Sequence, residues 1–241
     1  MKQNEKTEIE SLPRDPNMIF SEKGDQWYVE SRFFWSTQQP TIESMIFGNE
    51  EYSIIDLRYT YNVLSLLQFE KKIKGGVVAD CGGGIGRVSF QVLTHFFQSV
   101  DIVDPIPHFL FKAREHLEKV LSVDIIQKGL EEWNPSKAYD AFYIQWTMCY
   151  LTDRDLVSFL KRCSLSSSKD CIFIIKENIA GVELQTDKSQ YEYYPERNSI
   201  CRTYPHFCEL FKKAGLVLEE YRIQPNWPSD FLSVAMFILR K

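Results

Sequence analysis

The apolar residues between positions 26 and 70 recur at the spacing of an α-helix. In QWYVESRFFWS this spacing places Trp27, Phe34 and either Val29 or Phe33 on one helix face. The run SIIDLRYTYNVLSLLQFE repeats the spacing at Ile54, Leu57, Tyr61, Leu64 and Leu67. Lys74-Gly75-Gly76 then interrupts the pattern. The pattern therefore predicts a helical segment over residues 26–74.

Beyond residue 75, short apolar runs alternate with amphipathic ones. The short runs predict strands over 77–80, 99–104, 139–146 and 171–177 and over VDIIQK, LVLEEYRI and SVAMFILR, the last two as an antiparallel pair. The amphipathic runs predict helices over RVSFQVLTHFF, HFLFKAREHLEKV, TDRDLVSFLKRCS and TYPHFCELFKKAG. Strands that alternate with helices of this length form βαβ units, so residues 75–241 are predicted to build a mostly parallel α/β sheet.

Residues 1–25 show neither the apolar spacing of a helix nor the short apolar runs of strands. Pro13, Pro16, Asp25 and many charges break the pattern, so we expect a disordered tail. The segment also has no apolar stretch typical of a secretory signal, and nowhere do eighteen apolar residues follow one another.

Composition narrows the class of protein. The chain has 241 residues with 17 Phe, 12 Tyr and 5 Trp, which excludes a wholly disordered chain. The net charge of −5 argues against a dedicated nucleic-acid binder and suits a positively charged partner. The six cysteines are scattered without a CxxC pair, so we expect reduced thiols in an intracellular protein and no metal site. The expected location is the cytoplasm, and the nucleus stays open because no basic cluster directs the chain there.

A glycine-rich loop carries the strongest chemical signal. In VVADCGGGIGR, residues 77–87, a predicted strand ends at Asp80 and glycines follow at 82, 83, 84 and 86. Neither register matches G-x-G-x-x-G, so a nicotinamide dinucleotide is disfavoured. Asp104 ends the next strand twenty residues after Gly84, where an acidic residue meets ribose hydroxyls in nucleotide-binding sheets. The loop and this carboxylate together predict a nucleotide-type ligand.

The loop with Asp104 resembles class I S-adenosylmethionine (SAM) methyltransferases. The stretch YDAFYIQWTMCYLTDRDLVSFLKRC, followed by IFIIKENIA, is similar to eukaryotic protein N-terminal α-amine methyltransferases, which modify proteins beginning X-Pro-Lys. The resemblance runs from about residue 26 to residue 240. It implies a single seven-stranded Rossmann-like class I methyltransferase sheet flanked by helices (75–241), with an N-terminal helical cap (26–74).

The resemblance also implies where SAM, and its product S-adenosylhomocysteine, would bind. Gly82 and Arg87 would contact the methionine part, with Arg87 near its carboxylate, and Asp104 would hold the ribose. Leu130 and Glu131 would flank the adenine, and Gln145 would reach the methionine end.

The substrate would bind beside the methionine end. Trp35 and Trp146 offer aromatic faces, which suit an amine that becomes a methylated cation. By resemblance, Asn178 would bind the substrate backbone and Ser199 would lie beside it.

This chain departs from the family pattern at two positions. Tyr150 stands where the family has a histidine, and the usual aspartates before Ser-x-x-Arg are missing from QYEYYPERNSICR. The nearest acids are Asp187, Glu192 and Glu196, of which Glu196 is the best candidate for the substrate-side carboxylate. The expected catalytic residues are therefore Glu196, Asn178 and Tyr150, and methylation is expected to be slower, to stop earlier or to prefer different N-termini.

The predicted activity is methyl transfer from SAM to the α-amino group of protein N-termini. An α-amine with a pKa of about 7.8 is roughly a quarter neutral near pH 7.4, so the enzyme needs mainly orientation and a modest base. The expected partners are N-termini with Pro at the second position and Lys at the third, bound by a monomer that contacts neither membrane nor nucleic acid. The alternatives are methylation of another small amine or of RNA, and a catalytically weak SAM-binding partner protein.

Overall fold

The computed structural model describes residues 16–48, 50–117, 122–181 and 191–241. Its strands are β1 Val77–Cys81, β2 Ser99–Asp104, β3 Ser122–Gln127, β4 Tyr139–Gln145, β5 Ser167–Ile179, β6 Tyr191–Tyr194, β7 Ser199–Arg202, β8 Val217–Ile223 and β9 Ser233–Arg240. Its helices are α1 Pro16–Lys23, α2 Gln26–Ser36, α3 Ile42–Ile46, α4 Glu50–Phe69, α5 Arg87–Gln91, α6 Pro107–Leu117, α7 Asp153–Leu165 and α8 Tyr204–Ala214.

Seven strands form the predicted sheet. β3, β2, β1, β4 and β5 lie side by side and parallel. β9 joins β5 antiparallel, and β8 joins β9 antiparallel, as the last two apolar runs predicted. The fold class is thus confirmed.

A hairpin that the apolar pattern did not predict extends the sheet to nine strands. β6 and β7 pair with each other antiparallel, and β7 pairs in parallel with the end of β5, where Arg202 lies beside Ile179. The hairpin stands above the carboxyl ends of the parallel strands, so it adds a wall to that edge.

The strand order reverses at β1, which has β2 on one side and β4 on the other. In an open parallel sheet, the connections on the two sides of such a switch point run to opposite faces and leave a crevice at the carboxyl ends of the strands. Two apolar layers hold this sheet rigid, one on each face. Phe142 and Phe173 are fully buried in one layer, and Tyr143 and Ile174 in the other.

The helix predicted over RVSFQVLTHFF is shorter in the structure. α5 ends at Gln91, because Val92 leaves the helical region at φ −132° and ψ −60°. A 3₁₀ turn, Leu93–His95, follows. Val92 and Leu93 both pack into the layer against the sheet.

The tail expected over residues 1–25 needs correction. Residues 16–23 form α1, and its Ile19 and Phe20 are buried beside Trp27; residues 1–15 lie outside the described part. On α2, Trp27 is buried whereas Val29 and Phe33 are both exposed. The buried face of this helix is therefore narrower than expected, since one of the two was predicted to share it with Trp27. In α4, Ile54 and Tyr61 are likewise exposed.

Within the described ranges no helix has the length and apolar character needed to cross a membrane.

Candidate functional site

A cavity of about 470 Å³ opens at the carboxyl edge of the sheet, beneath α2, α3 and the β6–β7 hairpin. All the predicted site residues except Glu196 line it, namely Trp35, Gly82, Arg87, Asp104, Leu130, Glu131, Gln145, Trp146, Tyr150, Asn178 and Ser199. The structure therefore brings the predicted cofactor and substrate residues into one continuous space.

The glycine loop forms one wall of the cavity with its backbone. Gly82 adopts φ +76°, and a Cβ there would lie 2.3 Å from Thr147 Oγ1. Its N–H donates to the carbonyl of Val103 at 2.7 Å, which fastens the loop to β2. Only glycine permits both this backbone conformation and this approach, so the loop exposes backbone where a side chain would fill the space.

The carboxylate of Asp104 is fixed at the end of β2. The N–H groups of Gly84 and Ile106 donate to its two oxygens, at 3.0 Å and 2.9 Å. Burial raises the pKa of Asp104 to about 7, and the nearby charge of Asp80 adds to that effect. The ionised oxygens accept further hydrogen bonds, as a ligand with vicinal hydroxyls requires.

A buried cluster of charges supports the floor of the cavity. Asp56, on α4, accepts a hydrogen bond from Arg87 Nη2 at 2.7 Å and one from Gln145 Nε2 at 2.9 Å. It also forms an ion pair with Lys176, which is itself fully buried. Lys176 Nζ further donates to Thr60 Oγ1 at 3.0 Å. The cluster joins α4 to β4, β5 and the start of α5.

Opposing effects set the pKa values in this cluster. Burial alone would raise the pKa of Asp56, but the positive charges of Lys176 and Arg87 lower it below its ordinary value. Burial lowers the pKa of Lys176 to about 8, although its carboxylate partner opposes that change. The sequence analysis did not identify Asp56, although a lone aspartate among the apolar positions of SIIDLRYTYN was a usable signal.

Arg87 and Gln145 are held by this cluster rather than free. Arg87 Nη1 donates to Ser53 Oγ at 3.1 Å, and its Cζ lies 5.7 Å from the ring centre of Trp146. Gln145 also accepts a hydrogen bond from Tyr143. The guanidinium thus presents a fixed positive charge to the cavity, suited to a ligand carboxylate.

Leu130 and Glu131 line another side of the cavity. Leu130 is buried, and Arg162 Nη2 donates to the carbonyls of Leu130 and Glu131 at 2.7 Å and 3.0 Å. The Glu131 carboxylate forms an ion pair with Arg32 of α2. This side is therefore apolar at Leu130 and polar at its rim.

Aromatic side chains form the outer end of the cavity. The Trp35 ring lies 5.9 Å from Tyr150 and 6.1 Å from Phe109, both edge to face. Trp146 packs 5.9 Å from Trp227, which the sequence analysis missed. Trp227 belongs to the loop QPNWPSDF between β8 and β9, and an aromatic between prolines in such a loop was the available signal.

Trp146 carries two irregular features. Its φ is +52°, a backbone angle that is unfavourable for any residue other than glycine. Its indole Nε1 is buried and has no hydrogen-bond partner among the described residues. Backbone strain and an unsatisfied donor concentrate at functional sites, so the two features mark this end of the cavity.

The acid and the phenol at this end have shifted pKa values. Glu177, also missed by the sequence analysis, accepts hydrogen bonds from the backbone N–H groups of Thr147 and Met148 at 2.8 Å and 2.7 Å. Burial raises the pKa of Glu177 to about 7. Burial raises the pKa of Tyr150 far above its usual range, so its phenol keeps its proton. Asn178 is half-buried on the adjoining wall.

Glu196 does not reach the cavity, contrary to the expectation for a substrate-side carboxylate. Its side chain is 61% exposed, and Arg197 lines the cavity instead. Residues Pro195–Arg197 form a 3₁₀ turn, in which neighbouring side chains project about 120° apart. Ser199 Oγ accepts a hydrogen bond from Arg197 Nε at 3.2 Å. Of the other candidates, Glu192 is bound by the hydroxyl of Tyr194 and Asp187 lies outside the described residues.

Several known proteins share this architecture. A SAM-dependent methyltransferase from Leishmania major matches with a TM-score of 0.85 at 26% identity, covering 94% of this chain and 92% of that one. A SAM-dependent methyltransferase from Clostridium acetobutylicum, 13% identical with a TM-score of 0.60, covers 75% of this chain and 90% of that one and shares the fold.

Curated relatives are similar in sequence over most of the chain. The N-terminal Xaa-Pro-Lys N-methyltransferase 1 of Xenopus tropicalis is 35% identical and covers 89% of this chain and 96% of its own length. The alpha N-terminal protein methyltransferase 1 of Schizosaccharomyces pombe is 31% identical with the same coverage. A family model described as AdoMet dependent proline di-methyltransferase matches residues 23–240. The chain belongs to this family of SAM-dependent methyltransferases.

Proposed function

We propose that this protein transfers methyl groups from SAM to the α-amino group of protein N-termini that carry Pro at the second position. The observation that carries the proposal is the single cavity in which the glycine loop and Asp104 meet an outer end walled by Trp35, Trp146 and Tyr150. The choice of a protein N-terminus as the methyl acceptor rests on the relatives, which are N-terminal protein methyltransferases by name.

The residues present fit SAM. The cavity volume lies within the range of pockets that enclose a small ligand. Arg87 is suited to the methionine carboxylate, Asp104 to the ribose hydroxyls, and Leu130 to one face of the adenine. The cofactor supplies a methyl group bonded to a positively charged sulfur.

Methyl transfer requires a neutral amine at the outer end of the cavity. The amine nitrogen forms its new bond to the methyl carbon as the S–C bond breaks, and the bonding pair stays on sulfur. The nitrogen must therefore have an unprotonated lone pair. An α-ammonium, with a pKa of about 7.8, loses its proton easily near neutral pH. Glu177, with a pKa of about 7, is suited to accept that proton.

The aromatic walls of the cavity are suited to stabilise the methylated product. Each transfer to the neutral amine yields a nitrogen of charge +1, and each added methyl group makes that cation more apolar. Ring faces such as those of Trp35 and Trp146 attract such a cation and exclude water from it. Tyr150 stays protonated, so it is unsuited to act as the base, and its hydroxyl is suited to be a hydrogen-bond donor to the substrate.

The rival function, a SAM-binding protein without turnover, is separated by two measurements on the same preparation. Calorimetry measures SAM binding, and mass spectrometry measures methylation of a peptide that begins Xaa-Pro. We expect SAM to bind and the peptide with a free N-terminus to gain one or more methyl groups, while its N-acetylated copy gains none. Binding without any methylation of free N-termini would support the rival and contradict the proposal.

SAM affinity is expected to depend on pH through Asp104. The pKa of about 7 means that the carboxyl is mostly ionised at about pH 8 and mostly protonated at about pH 6. Because the ionised form is the better acceptor for the ribose hydroxyls, affinity should fall about tenfold over that range. Calorimetric titrations at several pH values measure this.

The matched control is Asp104→Asn. It should bind SAM more weakly at high pH and lose most of the pH dependence, since the amide does not titrate. Equal pH slopes for both proteins would show that another group, such as Asp80 or the ligand itself, controls the titration.

A further inference from the structure

Arg197 gives the outer end of the cavity a positive charge where the sequence predicted a negative one. It follows Glu196 in the 3₁₀ turn between β6 and β7, and it lines the cavity while Glu196 faces solvent. Its side chain is only 25% exposed. A part-buried guanidinium at the substrate end bears directly on which N-termini can bind.

The surroundings of Arg197 hold its guanidinium in one orientation. Its Cζ lies 4.8 Å from the ring centre of Tyr194 and 5.4 Å from that of Phe47. Its Nε donates to Ser199 Oγ. The rings cover its faces, so the edge that carries Nη1 and Nη2 is the part left to interact. A planar edge with two N–H groups matches a carboxylate.

The charge of Arg197 is poorly compensated compared with the other cations of the cavity. Among the described lining residues, Arg87 pairs with buried Asp56 at 2.7 Å and Arg32 pairs with Glu131. Arg197 has Glu196, whose oxygen is 3.7 Å from Nε and largely in solvent. No described residue accepts a hydrogen bond from its Nη atoms.

The acids of the cavity are engaged elsewhere. Asp104 is held by backbone N–H groups beside the glycine loop, and Glu177 by those of Thr147 and Met148. Glu131 pairs with Arg32, and Asp80 accepts a hydrogen bond from Ser89 Oγ. Among the described acids that line the cavity this leaves Asp230, exposed on the loop between β8 and β9, as a partner for a cationic substrate side chain.

We propose that Arg197 makes this enzyme prefer N-termini with an acidic side chain, Asp or Glu, close to the methylated amine, rather than the Lys of the Xaa-Pro-Lys relatives. The proposal rests on the proposed function and assigns a substrate class to the same site. The acidic carboxylate would bind the Nη edge of Arg197. A lysine at that place would meet a like charge, which lowers affinity.

The test uses three peptides that begin Xaa-Pro and differ only at the third residue, which is Glu, Gln or Lys. Mass spectrometry measures kcat/KM for each with the full-length protein and saturating SAM. We expect the order Glu, Gln, Lys, with a Glu-to-Lys ratio of about tenfold, since attraction and repulsion at a part-exposed site each contribute a few-fold. Equal rates, or a faster Lys peptide, would overturn the proposal.

Variants identify the residue responsible. Arg197→Gln should bring the Glu-to-Lys ratio to about one, and Arg197→Glu should invert it. The ratio is measured within one variant, so a loss of folded protein does not affect it. Glu196→Gln, the exposed neighbour, is the matched control and should keep the wild-type preference. A ratio that persists in Arg197→Gln would contradict the assignment.

The outcomes separate this proposal from the proposed function. If no free N-terminus is methylated while SAM binds, the proposed function fails. If methylation occurs but the Lys peptide is best and Asp230→Asn removes that preference, the function stands and the assignment to Arg197 fails.

Discussion

Replacing Asp56 by Asn is expected to lower the free energy of unfolding by about 3–5 kcal/mol, the usual cost of removing one partner from a buried ion pair. The substitution leaves Lys176 and Arg87 without their carboxylate, and Lys176 is fully buried. A loss of this size is a large share of the about 5–15 kcal/mol that stabilises a typical domain. Denaturant titration followed by circular dichroism measures it.

Two further variants show that burial is the cause. Asp170 pairs with Lys74 at an exposed site, so Asp170→Asn should leave the denaturation midpoint close to that of the wild type. The double variant Asp56→Leu/Lys176→Met removes the Asp56–Lys176 pair and should recover part of the loss, although Arg87 still lacks its carboxylate. If Asp56→Asn were as stable as the wild type, the cluster would not support the cavity floor as described.

Substituting Gly82 by Ala is expected to weaken SAM binding on the order of 100-fold. The backbone at φ +76° disfavours any Cβ, and this Cβ would lie 2.3 Å from Thr147 Oγ1. Left-handed strain of about 1–2 kcal/mol and a further 1–3 kcal/mol or so of overpacking must be relieved by moving the loop that contacts the ligand. Calorimetry with SAM measures the affinity.

Gly215→Ala provides the matched control. Gly215 has nearly the same backbone angle, φ +79°, but nothing lies within 4 Å of its Cβ position, at the end of α8. It should lose some stability and keep its SAM affinity. The double variant Gly82→Ala/Thr147→Ala should regain part of the affinity. If both glycine variants bound SAM equally well, the close approach at Gly82 would play no part in binding.

The sheet and the cofactor end were predictable because their signals are local. A buried strand, a glycine turn and a helix follow each other within residues 77–91, and Asp104 ends the next strand. The parallel arrangement then brings the strand ends to one edge without further information. The same logic placed Gln145 and Trp146 at that edge.

Local patterns can single out Asp56, but they predict neither its partners nor which side chain of the β6–β7 turn faces the cavity. Asp56 and Lys176 are 120 residues apart, and only the packing of α4 against β5 brings them together. Glu196 and Arg197 are adjacent, and the orientation of the 3₁₀ turn decides which of them faces the cavity. Hydrophobic periodicity carries no information on either point, since both depend on contacts between distant segments.

The position of the transferred methyl group shows whether this protein methylates N-termini. A peptide that begins Xaa-Pro and contains one internal lysine is incubated with the protein and with SAM carrying an isotope-labelled methyl group, and the product is fragmented in a tandem mass spectrometer. We expect all of the label on the α-nitrogen of the first residue. Label on the lysine side chain, or none on any free N-terminus while SAM is bound, would contradict it.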